Sequence, residues 1–343
     1  MYYFLFSVVC IWLSLLYLLH PHRVFLWLFV LVITAFSSLR FDAGFDYFNY
    51  IDIIEGYNDA TLEPASKLAV ELARVFNENQ LFFFINSLVY VLSLAFGLHN
   101  FRALSLISLL LLSFGPLSLL TSFNLVRQYS AIALIFIAFS LFQNKKFLVS
   151  FLLMIMAVLF HKSAALVIPI LLLSRFFRLR YSLLVYLSSM LVAIFFIPSF
   201  AYYLSEKIGL YQTYFNVYVS SSGHKIMLLL VFIFIVNHLF ALVSGLTNRD
   251  FWLAHNLFFI GILIYFGLSG FGEHLARVSY YFIPFLYVAC HNIYFSLDLS
   301  DRIAYLILLI FFCLVSFLGT LYFAAQNTDR DSLTNYQFYF LVE

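Results

Sequence analysis

The sequence predicts an all-α, polytopic membrane protein, and three observations lead there. Of the 343 residues, 64% are hydrophobic and only 10% are charged, against about 45–50% apolar and about 25% charged in ordinary globular domains. A soluble fold of this length could not keep so much apolar surface from water. The apolar residues also fall into long runs separated by short polar joints. A membrane helix takes about 20 residues, so the chain has room for about twelve spans. A soluble enzyme, a nucleic-acid binder and a disordered chain are excluded.

Taken in order, the runs place spans at about 2–19, 24–39, 80–98, 103–121, 124–142, 147–160, 163–174, 181–197, 226–246, 251–268, 276–296 and 302–320. The first has no basic residue before it and no small-x-small cleavage site, so it reads as a retained span. The short spans 147–160 and 163–174 meet at His161-Lys162-Ser163, which should sit in a recess below the outer surface. Residues 62–77 have helical spacing of Leu62, Leu68, Ala69, Leu72, Ala73 and Phe76, with Glu63, Lys67, Glu71 and Arg74 between them. That segment is too short and too charged to span, and reads as an amphipathic helix on the outer surface. With no repeat, low-complexity tract or soluble portion visible, residues 1–343 are expected to form a single transmembrane domain. The 12 glycines are few for a transporter built on broken helices. The three cysteines all lie in apolar runs and do not read as a disulfide framework.

The joints alternate in charge. One set (20–23, 99–102, 144–146, 175–180, 247–250 and 297–302) holds nine Lys/Arg and three Asp/Glu, and the rest of the chain holds nine and thirteen. Short loops rich in Lys and Arg face the cytoplasm. Both termini and the segments 40–79, 198–225 and 321–343 are therefore expected on the outer side of the membrane.

Polar residues in or beside membrane spans are costly, so each is a functional candidate, and the candidates gather at the outer ends of the spans. Arg40 closes the second span and opens a loop in which Gly44 suggests a tight turn bringing Arg40 to Asp46. If the chain is helical from 46, Asp46, Asn49 and Tyr50 share a face. Asp52, Glu55 and Asp59 are explained as well by a solvated loop as by a site. Asn124, Arg127, Gln128 and Ala131 form a polar-to-small stripe, whose plain alternative is a rim arginine reaching lipid phosphate. His161 lies between two short spans, where histidine more often caps or packs. No second histidine stands at metal-ligand spacing, so no metal is expected. Glu273, His274 and Arg277 place an acid, a base and a cation together, followed by Tyr280 and Tyr281; the plain alternative is a local ion pair. Asp329-Arg330-Asp331 has the spacing of a metal-binding carboxylate pair. It lies on the outer tail with no βαβ pattern before it, and is not read as a site. P-loop, GxSxG and HExxH patterns are absent. Arginines bind phosphate oxygens through paired hydrogen bonds, and aromatic rings pack on sugar faces. A lipid-linked sugar diphosphate suits this collection.

Arg40…Gly44-x-Asp46-Tyr47-x-x-Tyr50, then Glu63-Pro64, Arg127-Gln128, His161-x-Ser163-Ala164 and Ala276-Arg277 with tyrosines after it resemble, in order and spacing, the EpsG-like family of bacterial polysaccharide polymerases. That family sits within the broader Wzy-type polymerases of O-antigen, capsule and exopolysaccharide. Phe45 and Ala65-Ser66-Lys67 depart from its common pattern. The resemblance implies a GT-C-like glycosyltransferase architecture, without nucleotide sugar, cofactor or metal. It also implies transfer of a polyprenyl-diphosphate-linked glycan onto another lipid-linked repeat unit at the periplasmic face. Membrane lipids and the pathway's flippase and chain-length regulator are the implied partners. On this reading Arg40, Arg127, Gln128 and Arg277 bind diphosphate. Asp46, His161 and Glu63 are candidates for the general base. Tyr47, Tyr50, Glu273, His274, Tyr280 and Tyr281 line the glycan path. A lipid-linked oligosaccharide flippase, an O-antigen ligase and a membrane sugar acyltransferase remain as alternatives.

Overall fold

The computed structural model describes residues 1–58, 61–209, 215, 224–326 and 333–342. Asp59 and the Asp329-Arg330-Asp331 motif lie outside the described residues. The elements are α1 (Tyr2–Leu19), α2 (Arg23–Ser38), β1 (Arg40–Phe41), α3 (Tyr47–Glu55), α4 (Pro64–Val75), α5 (Gln80–Asn100), α6 (Leu106–Phe114), α7 (Leu119–Asn124), α8 (Val126–Gln143), α9 (Phe147–Phe160) and α10 (Ala164–Leu172). They continue as α11 (Leu183–Ile208), α12 (His224–Val243), α13 (Arg249–Leu268), α14 (Glu273–Ala276), α15 (Ile283–Ser296), α16 (Leu299–Ala325) and β2 (Gln337–Phe338), with short 3-10 turns between some of them. The protein is an all-α membrane protein. Among the described residues seven helices are long and apolar enough to cross a bilayer, and α2 and α9 are shorter apolar helices.

Several expected spans have different forms. The run expected over 103–121 is two helices, α6 and α7, separated at Gly115-Pro116. Proline has no N–H to continue a helix and biases the residue before it toward extended backbone, and Gly115 is extended, at φ −74° and ψ 166°. Broken backbone inside an apolar environment must be satisfied by other groups, and the Tyr129 hydroxyl donates to the Leu117 carbonyl at 2.6 Å. The run expected over 276–296 begins as a 3-10 turn, Arg277–Phe282, before α15 starts with Pro284 in its first turn. The runs at 181–197 and 302–320 extend further, into α11 and α16.

The chain divides into two compact units, one of Met1–Ala165 with Cys313–Glu343 and the other of Leu166–Phe312. In the first unit α5 packs on α2 and α8, α8 packs on α9, and α1 packs on α2. The centre of this set is α8, buried over most of its circumference. Its Ser130, Ala131, Ala133, Ala138 and Ser140 are small enough for neighbouring helices to approach closely. In the second unit α13 packs against α11, α15 and the two 3-10 turns that flank it in space, Ser174–Arg178 and Arg277–Phe282.

One end of the first unit is capped by α3 and α4. Tyr47, Tyr50, Ile53, Ile54, Ala69, Val70, Ala73, Phe82, Phe83 and Val126 form a single buried cluster there. The helix expected over 62–77 is present as α4, but its protein-facing side is the small-residue face of Ser66, Ala69, Val70 and Ala73. Leu68 and Phe76 are 61% and 67% exposed. Arg74 secures the cap by donating from Nε to Ile54 O (2.7 Å) and from Nη2 to Ile53 O (2.6 Å) at the C-terminal end of α3.

The C-terminal segment returns to the same end. β2 pairs antiparallel with β1, Arg40 opposite Phe338 and Phe41 opposite Gln337. Tyr336 stacks on Phe36 with ring centroids 4.3 Å apart, and its hydroxyl donates to Phe36 O at 2.8 Å. The Tyr3 hydroxyl donates to Leu333 O at 2.7 Å. Burial pushes the Tyr336 phenol well above its ordinary range, so it stays a neutral donor. Truncating a buried aromatic costs about 3–5 kcal/mol. Tyr336→Ala is accordingly expected to lower the melting temperature of the detergent-purified protein clearly, and Tyr336→Phe, which loses only the hydroxyl, to lower it much less.

Candidate functional site

The capped end of the first unit brings together residues far apart in sequence. The loop after β1 docks on the α7–α8 junction. Phe45 N–H donates to Asn124 Oδ1 at 2.7 Å, and Gly44 has φ +115°. A Cβ on Gly44 would lie 2.2 Å from the Phe123 carbonyl oxygen, so only glycine fits both the backbone and the space. This docking sets α3 beside α8. Gly44→Ala is expected to cost about 1–3 kcal/mol, read as loss of folded protein on heating, and to disturb the contacts of Tyr50 with α8.

Arg127 lies in the first turn of α8. Its Nε donates to the Tyr50 hydroxyl at 3.0 Å, and its Nη1 forms an ion pair with Glu63 Oε2. The other carboxylate oxygen, Glu63 Oε1, lies 3.5 Å from the Lys162 backbone nitrogen. Glu63 is the N-cap residue of α4, but its carboxylate makes no capping bond. Pro64 in the first turn already has no N–H to satisfy, which leaves the side chain able to reach across to α8. The Ser66 hydroxyl donates to Phe160 O at 3.0 Å and holds the start of α4 against the end of α9. There His161 is the C-cap residue, with Nδ1 2.7 Å from Ser163 Oγ. The side chains of Arg127 and Glu63 are 23% and 16% exposed. They are dry enough for charge to count, yet open to a ligand.

The other expected residues of this unit divide. Asp46 precedes α3, and Tyr50 N–H bonds its carbonyl at 3.0 Å. Asp46 and Tyr50 stand one turn apart facing α8, while Asn49 faces out and accepts from Asn58 Nδ2 at 2.8 Å. Gln128 is buried beside Arg127, at 4% exposure. Tyr47, expected on a glycan path, is buried and stacks on Phe83 with centroids 4.6 Å apart. Arg40, expected at a diphosphate, is 1% exposed. Its guanidinium lies between the rings of Phe83 and Phe123, 4.8 and 4.7 Å from their centroids. It donates to Ala43 O at 3.0 Å and to Ser37 O. Burial pushes it down to about 10, still above neutral pH. In this structure Arg40 ties the end of α2 to the loop that carries α3.

In the second unit Glu273, His274 and Arg277 do come together. Arg277 Nε is 3.7 Å from Glu273 Oε1, Arg277 Nη1 is 3.2 Å from His274 Nδ1, and the Tyr280 hydroxyl is 3.5 Å from Glu273 Oε1. The local Glu–Arg pair is thus present. Tyr280 and Tyr281 are buried, at 2% and 1% exposure. The polar residues of this unit are not confined to helix ends. Asn237, His238, His255 and Asn256 are buried within α12 and α13. Tyr186 bonds Asn256, and the Tyr305 hydroxyl donates to Asn237 Oδ1 at 2.8 Å. The runs Asn237-His238 and His255-Asn256, each inside an apolar stretch, were the sequence signal for this cluster. Arg74 and Gln80 were also missed; Gln80 Nε2 donates to the Ser38 and Arg40 carbonyls, and so braces the cap. Among the described residues no group of three or more His, Cys, Asp or Glu side chains could hold a metal ion.

Fold and site together define a polytopic helical membrane protein with a partly exposed Arg127–Glu63–Tyr50 cluster at one end of a helical unit. A model of the EpsG family matches residues 23–338, nearly the whole chain, and the chain belongs to that family. Members of the family are Wzy-like polysaccharide polymerases. No curated protein and no solved structure matches the chain.

Proposed function

We propose that the protein polymerises polysaccharide repeat units, taking a polyprenyl-diphosphate-linked glycan as donor and a second lipid-linked repeat unit as acceptor. The observation that carries this reading is Arg127, partly exposed and held by Glu63 and Tyr50 at the capped end of a helical unit in a chain of a polymerase family. The acceptor hydroxyl attacks the anomeric carbon, the bond to the diphosphate breaks, and polyprenyl diphosphate leaves with the electron pair. A guanidinium at a partly dry site stabilises the charge gathering on that leaving group. Gln128 is a further donor to the diphosphate, and Arg40 positions the cap that carries Tyr50. Asp46, His161 and Glu63 are the candidates for the general base. Arg277, with Glu273 and His274, is a further anion-binding group within its own unit. The reading includes an inner-membrane location, about twelve spans in a GT-C-like architecture and a periplasmic site; the asymmetry of Lys and Arg among the loops supports the side on which the site lies.

The glycan phenotype of a deletion strain tests the function. Loss of polymer with single repeat units still reaching the surface is the expected result. Loss of both, with lipid-linked units trapped inside, would mean a flippase. Polymer that is made but left on its lipid would mean a ligase. Polymer lacking only a substituent would mean an acyltransferase.

A further inference from the structure

We infer that Glu63 is an internal stand-in for the donor's diphosphate, displaced when the donor binds and thereby freed to act as the general base. The inference rests on the reading of Arg127 as the diphosphate ligand.

Three features carry it. The Glu63 carboxylate occupies an anion site made by the Arg127 guanidinium on one oxygen and the Lys162 backbone N–H, 3.5 Å away, on the other. A carboxylate and a phosphate present the same paired oxygens to a guanidinium fork. The Arg127 fork is fixed independently of Glu63, because Nε donates to Tyr50, whose ring is buried against Phe82 and Phe83. The cation therefore keeps its aim when Glu63 leaves. Finally, Glu63 is the N-cap of α4, held there by its backbone carbonyl accepting from Lys67 N–H at 2.8 Å, while its side chain makes no capping bond, so the side chain can swing without unwinding the helix.

A carboxylate and a diphosphate cannot share one guanidinium without like-charge repulsion. Binding of the donor expels Glu63 from Arg127 and leaves it beside the anomeric carbon that the diphosphate carries. Paired with Arg127 and facing the Lys162 N–H, the carboxylate has both oxygens engaged; released, it takes the proton of the acceptor hydroxyl as oxygen bonds to the anomeric carbon and polyprenyl diphosphate departs. The base is thus masked until a donor is present.

The test uses full-length protein in detergent and polyprenyl diphosphate without sugar as the binding probe, with transfer measured separately on lipid-linked repeat units. Glu63→Gln is expected to bind the probe at least about fivefold more tightly than wild type and to transfer at least about a hundredfold more slowly. Glu63→Asp, which keeps the charge but shortens the reach, is expected to bind more tightly than wild type and to keep part of the transfer rate; it also serves if the Gln variant fails to fold. Unchanged or weaker probe binding in both variants would overturn the inference, and so would tighter binding with unimpaired transfer. If Arg127→Ala binds the probe as well as wild type does, the reading of Arg127 fails instead.

Discussion

Arg127→Ala is expected to reduce polymer formation by at least about a hundredfold, the loss typical when one preorganised donor to a developing negative charge is removed. The variant should accumulate to near-normal levels. Arg127 is partly exposed, at the start of α8, and the burial of that helix rests on apolar and small residues further along it. Arg127→Lys should recover little. A lysine keeps the charge but cannot donate to Tyr50 and to two phosphate oxygens in one plane. Transfer by purified protein, normalised to folded protein, is the check. Full-length polymer from a normally folded Arg127→Ala variant would remove the diphosphate assignment.

Arg40→Ala is expected to act through stability. The guanidinium fills the gap between Phe83 and Phe123 and satisfies the Ser37 and Ala43 carbonyls in a place without water. Removing it leaves a cavity and two buried acceptors without their donor, costing about 3–5 kcal/mol in all. The amount of folded protein and its melting temperature should fall sharply, while the remaining folded molecules keep much of their transfer activity. A well-folded but inactive Arg40→Ala protein would instead make Arg40 a substrate ligand. If both results hold, the two arginines, equal on paper as cations at span ends, separate into a chemical role and an architectural one.

That separation shows where sequence was informative. Long apolar runs such as 2–19, 80–98 and 251–268 became helices close to their expected bounds, because length and hydropathy alone define a membrane helix. Arg127 stood out as a candidate for the same reason, since a charge beside such a run is costly, and the structure pairs it with Glu63 and Tyr50. The burial of Arg40 was not legible. Its partners Phe83 and Phe123 lie far along the chain, and nothing local says that two rings will enclose it. Tyr47, Tyr280 and Tyr281 were expected along a glycan path, yet their rings pack inside, because their partners come from other parts of the chain. The pairing of Arg40–Phe41 with Gln337–Phe338 has no periodicity to detect, being two residues long and joining the ends of the chain. Pro116 did mark the break in the run over 103–121, but composition alone favoured continuity there.

The central claim is that this protein itself joins lipid-linked repeat units. The most direct measurement incubates the purified full-length protein with one synthetic lipid-linked repeat unit, without nucleotide sugar, and follows glycan length and free polyprenyl diphosphate together. The expected result is a ladder of longer glycans, with one polyprenyl diphosphate released for each new linkage. Repeat units that stay single in the presence of folded wild-type protein, or that only cross a vesicle bilayer without growing, would contradict it.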